Sequence, residues 1–503
     1  MIKRDPAEAA EKTYDVIIVG GGIYGVALAR EAAARGLRPL LLERDDFGGA
    51  TSYNSLRIVH GGFRYLQKMD LHRFFESVGE RRWLLQHFPE LVKPLPCLMP
   101  LYGNGLFRPS ILRTALMIND ILSLHRNRSV PRENNLPGGN VIPPARVKEF
   151  FPMVDGRGLK GGAIWYDASM PDSQRLLMEM LRWAVSLGAT AVNYMEVTEL
   201  LTAGSAVSGV AAMDHAGGGE YQFHAPVVVN TAGPWCRQLA TRFHQDYPKL
   251  FHSSIAWNLL FDHPPLSDYA LALAPKKPDA QVYFLRSWNG YLLAGTIHQP
   301  WNGVEKQPLP SEASIENFIR DINDTVPGLN LRREDILHIF SGLLPARTEG
   351  TNQLAVREVI LDHGKSGGPK GLYSVSGVKF TTARLVAEKV VTTINPGAAK
   401  KNREHRPRQP IRGLFNLNSQ MQELPREWIE ELQRIIREEA VVHLDDLIVR
   451  RTNLGNLPRL AVTLAPQVAR LFDWDEQRCQ QEIERVEKFY QETTPINGEK
   501  INC

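Results

Sequence analysis

The feature that most constrains this chain is a run of glycines that follows a short apolar segment. Residues 14–19, Tyr-Asp-Val-Ile-Ile-Val, predict a buried strand, and Gly20-x-Gly22-x-x-Gly25 comes directly after it. Residues 23–35 have helix-forming composition and end at Gly36, and the apolar residues 39–43 predict a second buried strand. This order predicts a βαβ unit whose first turn carries the glycines.

Those glycines suit a dinucleotide. The first permits a tight turn, the second lets the backbone approach a pyrophosphate, and the third lets the helix pack on the strand, while the helix N-terminus offers amides and partial positive charge. Glu43 lies 23 positions after Gly20, where a carboxylate can accept ribose hydroxyls and would repel a 2′-phosphate. A plain glycine-rich turn is the alternative, but strand, helix and acid together favour the dinucleotide site.

Composition limits the other classes of function. A chain of 503 residues, 43% hydrophobic, can bury a large core in two or three domains. Its net charge of +4 is too small to indicate nucleic-acid binding. One basic cluster has no interleaved aromatic residues and predicts a solvated linker, with lipid or partner contact as the alternative: Lys400, Lys401, Arg403, His405, Arg406 and Arg408.

Location follows from what the sequence lacks. The polar residues 1–13 have no apolar stretch or cleavage site of a secretory signal, and no run approaches the roughly 18 apolar residues needed to cross a bilayer. The four cysteines form neither a CxxC pair nor metal-ligand spacing, so no metal is expected: Cys97, Cys236, Cys479 and Cys503. We expect a reducing, cytoplasmic setting, with peripheral attachment to the membrane left open.

Further along, the pattern alternates between helix and sheet. Residues 70–88 predict an amphipathic helix capped by Asp70, and the Pro- and Gly-rich residues 94–144 contain a helical island near 111–124. A helix is predicted at 172–187, strands within 251–296, and a strand at 372–375 that leads into a helix at 380–393. The tail after the basic cluster is predicted to be helical.

Several blocks carry a family resemblance. They are Ala50-Thr51-Ser52, the run from Arg57 to Leu66 (RIVHGGFRYL), Asn230 to Trp235 (NTAGPW), Phe340-Ser341-Gly342, Ser376 to Arg384 (SGVKFTTAR), and Val442 to Thr452 (VHLDDLIVRRT). In this order the blocks resemble the FAD-dependent glycerol-3-phosphate dehydrogenases of the D-amino-acid-oxidase-like superfamily. The resemblance extends over essentially the whole chain.

The resemblance implies an α/β fold with a discontinuous Rossmann-like FAD-binding domain, a β-sheet-based substrate domain and a C-terminal α-helical domain. The expected FAD-binding domain is assembled from residues 14–95, 160–250 and 335–398, and the substrate domain from 96–159 and 251–334. Residues 1–13 are expected to be an extension, 399–412 a basic linker and 413–503 the helical domain.

FAD is the implied cofactor. Thr51 and Ser52 would contact the pyrophosphate and ribityl side, the Val197 backbone the adenine, and Ala232-Gly233 the ribose region. The Gly377–Thr381 amides would point a helix N-terminus at the flavin pyrimidine edge, which stabilises the anionic reduced flavin. The full set of expected FAD contacts is Gly20, Gly22, Ile23, Tyr24, Gly25, Glu43, Arg44, Thr51, Ser52, Arg57, His60, Gly61, Gly62, Val197, Ala232, Gly233, Trp235, Gly377, Val378, Lys379, Phe380 and Thr381.

The resemblance also implies substrate contacts. Arg64, Tyr65, Arg357 and Lys379 fall on family positions that touch the substrate, and three cations near one flavin face suit a phosphate or carboxylate. His60 and Arg64 are the expected catalytic residues. His60 either takes the hydroxyl proton of the substrate or has a purely structural or flavin-orienting role, and the sequence does not favour the first over the others.

Three positions depart from the family pattern. Leu344 stands where the family has an arginine of the anion site, and Arg347 is a candidate replacement. A Gly-Thr-Thr-Asp run becomes residues 295–298 with Ile297, and a Lys-Gly-Ser-His run becomes residues 255–258 with Trp257. These changes suggest a substrate that is larger, less charged or differently oriented.

The expected function is oxidation of a secondary alcohol of glycerol 3-phosphate, or of a related anionic alcohol, by hydride transfer to flavin N5. Electrons would pass to a quinone or another acceptor. An amine, amino-acid or hydroxy-acid oxidase of the same fold and a non-catalytic FAD-bound interaction module are the alternatives. The sequence does not determine the substrate, the terminal acceptor, covalent attachment of FAD or the oligomeric state.

Overall fold

The structure is a computed structural model of the 503-residue chain. It describes residues 1–66, 69–103, 105–275, 281–303, 308–397, 406 and 411–493. Most of the expected basic linker and Cys503 lie outside the described residues. Of the linker, Arg406 is described and donates a hydrogen bond to Glu179 at 2.9 Å.

The described residues contain both helices and strands. The helices are α1 Pro6–Ala10, α2 Ile23–Ala34, α3 Phe63–Leu66, α4 Leu71–His87, α5 Pro109–Leu122, α6 Pro144–Phe150, α7 Ser173–Ser186, α8 Cys236–Arg242, α9 Glu312–Thr325, α10 Ala383–Ile394, α11 Arg426–Glu438, α12 Pro458–Ala469 and α13 Glu476–Thr493. The strands are β1 Val16–Val19, β2 Pro39–Leu42, β3 Ile58–Val59, β4 Lys93–Leu101, β5 Asn140–Ile142, β6 Gly161–Ser169, β7 Thr190–Val192, β8 Met195–Ala203, β9 Ala206–Asp214, β10 Glu220–His224, β11 Val228–Asn230, β12 Ser253–Phe261, β13 Ala270–Leu273, β14 Tyr283–Trp288, β15 Tyr291–Pro300, β16 Ile336–Pro345, β17 Val359–Asp362 and β18 Leu372–Ser376.

A six-stranded sheet forms the first layer. Its order is β17-β18-β11-β1-β2-β7, and all of its pairings are parallel except that of β17 with β18. The helices α2, α7 and α10 share one buried cluster on one face, and the three-stranded sheet β10-β9-β8 shares another cluster with β1 and β2. Strands β1, β2 and β11 are fully buried, because a parallel sheet is covered on both faces.

A larger sheet forms the second layer. Its order is β16-β12-β15-β14-β13-β4-β6-β3, with β5 paired to β6. The helix α9 packs on one face of it through Ile315, Phe318 and Ile322. Strands β3, β6 and β16 belong to this sheet although their residues fall within the stretches expected in the FAD-binding domain; those domain boundaries stay a prediction.

The C-terminal helices α11, α12 and α13 pack together over the second sheet. A π-helical turn at Asp446–Arg451 joins them to the first layer, because the Arg451 guanidinium donates to both carboxylate oxygens of Asp46 at 2.6 and 2.7 Å. Burial would raise the pKa of Asp46, but the charge of Arg451 outweighs it and lowers that pKa to about 2. This ion pair ties the end of the β2 segment to the helical domain.

The fold class predicted from sequence is confirmed, as are α2, α4, α5 and α7 to within a few residues. Asp70 does cap α4, accepting from the Arg73 amide at 3.1 Å. One detail differs. The helix α10 begins at Ala383 rather than 380, because residues 377–382 form a turn.

Candidate active site

The glycine turn between β1 and α2 depends on close backbone contacts. Gly20 has a φ of +109°, and a Cβ there would lie 2.7 Å from the Thr231 carbonyl oxygen. A Cβ on Gly25 would lie 1.9 Å from the Gly20 carbonyl oxygen. Side chains are therefore excluded at both positions, and β1, α2 and the segment after β11 meet with nothing between them.

Two side chains already engage the amides of this turn. The Glu43 carboxylate accepts from the Gly21 amide at 2.6 Å and from the Asp45 amide at 2.9 Å, and the Ser52 hydroxyl accepts from the Ile23 amide at 3.0 Å. Burial raises the pKa of Glu43. The N-cap residue of α2, Gly22, brings no side chain of its own to the helix N-terminus.

Two of the residues expected at the adenosine end of FAD, Arg44 and Trp235, are in contact. The Arg44 guanidinium lies 4.4 Å from the centre of the Trp235 ring, so residues after β2 and β11 stack on each other. Ala232 and Gly233 lie in the turn just before Trp235. Val197 is buried in β8, and its carbonyl accepts from Arg242 at 3.0 Å.

The expected flavin-end turn, residues 377–381, is fixed to α2 by Tyr24. The Tyr24 hydroxyl donates to the Lys379 carbonyl at 2.7 Å and accepts from the Lys379 amide at 2.9 Å. A Cβ on Gly377 would lie 1.8 Å from the Tyr24 ring, so glycine is required there. Burial raises the pKa of Tyr24 to about 12, which keeps the hydroxyl proton in place as a donor. Val378 lies within the turn, Phe380 packs partly against the core and Thr381 is buried.

The second block, residues 50–62, lies where the two sheets meet. Thr51 donates to the Leu343 carbonyl at 3.1 Å and packs on Gly342. Arg57 is fully buried: its guanidinium bonds Ser173 and Gln174 and lies within 5.3 Å of the ring centres of Tyr53, Trp288 and Phe340. The structure therefore gives the Arg57 side chain a core position, and its expected FAD contact stays a prediction.

Cations gather beside the flavin-end turn. The Lys379 ammonium lies 4.0 Å from the centre of the Tyr65 ring, and Arg73 lies 4.6 Å from the same centre. Burial, with the charge of Arg64 added, lowers the pKa of Lys379 to about 8. Arg64 itself is exposed. Arg73 is paired with the Asp70 carboxylate, but the Lys379 ammonium makes no ion pair in the described part of the chain, and the charge of Arg64 adds to its own.

The backbone beside Arg357 contacts this group, whereas no described contact links Arg347 to it. Arg73 donates to the carbonyl of Val356, next to Arg357, at 3.4 Å, and Arg357 is exposed. Arg347 is exposed beyond the end of β16, and its backbone amide bonds the Gln353 carbonyl at 2.7 Å. No described contact links Arg347 to Lys379 or Arg64.

His60 has a partner that the sequence did not indicate. Its Nδ1 lies 3.1 Å from the carboxylate of Asp167, which also accepts from the Gly61 amide at 2.7 Å and from Arg81 at 3.0 Å. A Cβ on Gly61 would lie 1.9 Å from the Arg81 guanidinium, and Gly62 has a φ of +90°. The glycines after His60 therefore let this segment lie directly on the Asp167–Arg81 pair.

The sheet register shows on which face of the second sheet each residue that departs from the family pattern lies. Across β12, β15 and β16, Trp257 is opposite Ile297, whereas Ala256 is opposite His298 and Gly342. Trp257 is fully buried against Phe318 of α9. Trp257 and Ile297 thus belong to the core under α9, whereas Leu344, opposite Ser254, and His298 belong to the other face of the sheet.

His298 lies near the cation group. Burial, together with the charge of Arg64, lowers the pKa of His298 to about 4, so the ring is neutral at pH 7. Its Nδ1 is buried and makes no hydrogen bond within the described residues. The sequence did contain a signal for this residue, because His298 replaces an aspartate of the family pattern. The face of the sheet on which His298 lies could not be assigned without the strand register.

The comparison with known families decides the class. The sequence model described as FAD dependent oxidoreductase matches residues 15–392, which spans the glycine turn, His60 and the flavin-end turn. The chain belongs to this FAD-dependent oxidoreductase family. FAD is therefore its cofactor and oxidoreduction its class of reaction.

Curated proteins that match this chain include glycerol-3-phosphate dehydrogenases. The enzyme of Synechocystis sp. is 29% identical over 404 residues, covering 78% of this chain and 71% of the relative. The mitochondrial enzymes of Arabidopsis thaliana and Homo sapiens are each 30% identical and cover 79% and 80% of this chain, but 63% and 55% of the relatives. The chain therefore spans less than two thirds of the length of either mitochondrial protein.

Solved structures share the fold. The glycerol-3-phosphate dehydrogenase from Bacillus halodurans complexed with FAD superposes with a TM-score of 0.70 at 21% identity, covering 97% of both chains. The L-α-glycerophosphate oxidase from Mycoplasma pneumoniae, with FAD bound, gives a TM-score of 0.55 at 16% identity and covers 78% of this chain. The match to the Bacillus halodurans structure therefore extends over the C-terminal helices, beyond residue 392, where the match to the family model ends.

The residues present fit the cofactor of the family. The Cβ-free cradle of Gly20 and Gly25, the N-terminus of α2 with glycine as its N-cap residue, and the Glu43 carboxylate match a pyrophosphate and a ribose. Within the described ranges no cluster of His, Cys, Asp or Glu could hold a metal ion, and no helix is both long and apolar enough to cross a bilayer.

Proposed function

We propose that this enzyme oxidises the secondary alcohol of glycerol 3-phosphate or of a closely related anionic alcohol. The observation that carries the proposal is the unbalanced positive charge around Lys379, beside Tyr65 and Arg64, at the turn expected to meet the flavin. Burial lowers the pKa of a lysine when no anion is close, so binding of an anion at this point recovers free energy. The names of the curated relatives support a glycerol phosphate.

The substrate anion would be held by Arg64 and Lys379, with Arg357 at the outer edge of the group. Tyr65 lies under the Lys379 ammonium and fixes its position. His298 presents a neutral ring with a free Nδ1 near Arg64, which suits a hydrogen bond to a substrate oxygen rather than a second ion pair. Arg347 takes no part in this proposal.

His60 would act as the base. When bound, FAD supplies the hydride acceptor at flavin N5. As the carbon–hydrogen bond breaks, the hydroxyl proton of the substrate passes to the His60 ring, so that a ketone forms and charge stays balanced. The side chain of His60 is 53% exposed in the structure, which leaves its ring open to a ligand. The FAD contacts proposed are those expected from the sequence, with the Arg57 contribution limited to its backbone.

Anaerobic flavin bleaching tests the substrate class. We expect sn-glycerol 3-phosphate or a related hydroxy-phosphate to bleach the flavin absorbance of the purified holoenzyme, and glycerol to fail at the same concentration. If only hydroxy-acids bleach the flavin, the substrate is still an anionic alcohol, but its anionic group is a carboxylate and not a phosphate. Bleaching by amino acids alone would replace the proposal with an amine oxidase, and no bleaching by any compound would favour a non-catalytic FAD-bound module.

We also propose that electrons leave to a quinone at a membrane surface, with the chain bound peripherally to the cytoplasmic face. One side of α5 exposes an apolar row that a solvated helix does not need: Ile111, Met117, Ile118 and Ile121, continued by Leu124. Exposed arginines border it at Arg108, Arg113 and Arg128. An apolar helix face with a basic border matches an anionic lipid surface.

Vesicle co-sedimentation tests this surface. Binding to vesicles containing phosphatidylglycerol should exceed binding to pure phosphatidylcholine, and it should fall as salt rises. Ile118→Glu with Ile121→Glu should remove it, whereas Met213→Glu, at an exposed apolar position on β9, should not. Equal binding of both variants would exclude α5 as the contact.

A further inference from the structure

We propose that Asp167 is a positioning residue that fixes His60 in one tautomer, with Nδ1 protonated and Nε2 free to accept the hydroxyl proton of the substrate. The inference rests on the proposed role of His60 as the base. It assigns a function to a carboxylate that neither the motifs nor the resemblance indicated.

Sheet register explains why the two residues meet. Strands β3 and β6 are antiparallel, and Val59 is opposite Ala168. The next position along each strand brings His60 beside Asp167, so their side chains project from the same face of the sheet. The pairing therefore comes from the backbone of two strands and not from a mobile loop contact.

The carboxylate is held rigidly from its other side. Arg81 donates to Asp167 at 3.0 Å and to the Tyr166 carbonyl at 2.6 Å, and the Gly61 amide donates at 2.7 Å. The side chains of Arg81 and Asp167 are only 5% and 6% exposed. Asp167 thus has a fixed orientation before any ligand binds, as an orienting group requires.

The charge of Asp167 sets the direction of the hydrogen bond. Burial alone would raise the pKa of Asp167, but the hydrogen bond from His60 and the charges of His60 and Arg81 lower it below its usual value. An ionised carboxylate can only accept, so the Nδ1 of His60 must donate. In a neutral imidazole the other nitrogen, Nε2, is then the acceptor.

Nε2 faces the open side. The ring packs against Phe284 with centres 5.7 Å apart, and the described residues offer Nε2 no hydrogen-bond partner. His60 is followed after four residues by Arg64, so the acceptor nitrogen and the proposed anion ligand belong to one short segment.

Asp167→Asn tests the inference in the holoenzyme. The asparagine amide can donate to Nδ1 and so stabilise the tautomer in which Nε2 carries the proton and cannot accept another. We expect the limiting rate of flavin reduction to fall about 100-fold, a size typical of a lost general base. FAD content and the Kd for substrate should stay within about threefold of the wild-type values, because neither depends on the proton position.

A double variant separates positioning from structure. If Asp167 acts through His60, then His60→Gln with Asp167→Asn should reduce the flavin no more slowly than His60→Gln alone. A double variant slower than His60→Gln would overturn the inference, as would a wild-type rate in Asp167→Asn. The matched control is Asp155→Asn, because Asp155 is also buried and paired to an arginine but lies away from the site; its rate should not change.

A measurement on the unchanged active-site pair covers the case in which Asp167→Asn does not fold. Nitrogen-15 histidine NMR of the wild-type holoenzyme, with His60 assigned by its loss in His60→Gln, should show the Nδ1–H tautomer. The Nε2–H tautomer would overturn the inference. If His60→Gln itself keeps the wild-type rate, the base role in the proposed function fails, and that result is distinct from a failure of Asp167 alone.

Discussion

Two regions of the molecule differ in whether their polar groups already have hydrogen-bond or ion-pair partners. One is the cofactor corner, formed by the glycine turn at residues 20–25 and the expected flavin-end turn at residues 377–381. The other is the cation group around the Lys379 side chain. At the corner, the amides of Gly21 and Ile23 already have acceptors, and the Tyr24 hydroxyl bonds both backbone groups of Lys379. In the cation group, the Lys379 ammonium is partly buried beside another positive charge, and its pKa is lowered to about 8. These corner groups are paired within the protein, whereas the Lys379 ammonium has no ion pair among the described residues and is proposed to bind the substrate anion.

This difference separates two kinds of prediction. Changes at the corner should act on folding and FAD retention, because they disturb contacts that exist before any substrate binds. Changes in the cation group should act on catalysis and its pH dependence, because the charges there are balanced by the ligand. Each of the following variants would break or sharpen this comparison.

Gly25→Ala should have the largest effect. The added Cβ would lie 1.9 Å from the Gly20 carbonyl oxygen, so α2 cannot keep its place against the turn. We expect nearly all bound FAD to be lost, as measured by the ratio of flavin to protein absorbance after purification. Gly79→Ala in α4, where nothing lies within 4 Å of the new Cβ, is the control and should keep FAD. Full FAD retention in Gly25→Ala would mean that the corner is not as rigid as described.

Arg451→Met should come next. It removes the two hydrogen bonds that Arg451 donates to the buried Asp46 carboxylate and leaves only Arg450 and Asn193 as donors to it among the described residues; breaking a buried ion pair typically costs about 3 kcal/mol or more. We expect a lower urea midpoint of unfolding. Arg459→Met, which breaks an exposed ion pair with Asp262, should cost less than about 1 kcal/mol. Equal midpoints for the two variants would remove the distinction between corner and surface.

Lys379→Met should lower kcat/KM without loss of FAD. A charge-assisted contact to an anion contributes about 1.5 to 3 kcal/mol, or about 10- to 150-fold. FAD content should hold, because Tyr24 binds the backbone of residue 379 and not its side chain. Lys365→Met, at an exposed position, serves as the control. If Lys379→Met loses FAD and keeps kcat/KM, the side chain belongs to the cofactor corner.

The smallest effect is the pH dependence. The Lys379 cation is present below a pKa of about 8 and is lost as pH rises through that value, so anion binding weakens on the alkaline side. With that pKa, the protonated fraction falls about tenfold between about pH 7 and about pH 9, and kcat/KM should fall with it. Lys379→Arg should give a flat profile over the same range, because arginine stays charged. An unchanged alkaline fall in Lys379→Arg would assign it to another group.

Much of the corner could be predicted from sequence because its signals are local. The glycine spacing, the apolar strands and Glu43 all lie within residues 14–43, where each residue type has a direct physical reason. The same pattern predicted a βαβ unit, whereas the α/β class of the whole chain was implied by the family resemblance. The helix bounds were correct to within a few residues because apolar periodicity fixes the interior of a helix better than its ends.

The partners across strands could not be predicted. His60 and Asp167 are 107 residues apart, and only the register of β3 and β6 brings them together. Trp257 and Ile297 attracted attention as departures from a pattern, yet alternation along the strands turns them toward α9 and leaves His298 on the other face. A one-residue difference in register reverses such assignments, and no local signal specifies it.

The hydrogen bonds between Tyr24 and Lys379 also determine when, during translation, the nucleotide-binding site can be completed. Its two residues are separated by 355 positions, so the glycine turn leaves the ribosome long before the segment that holds it in place. Closing so long a loop is slow compared with forming the first strand and helix. The nascent chain therefore carries an unfinished nucleotide turn through most of translation, and the binding site for the whole cofactor is completed only after Lys379 has been made.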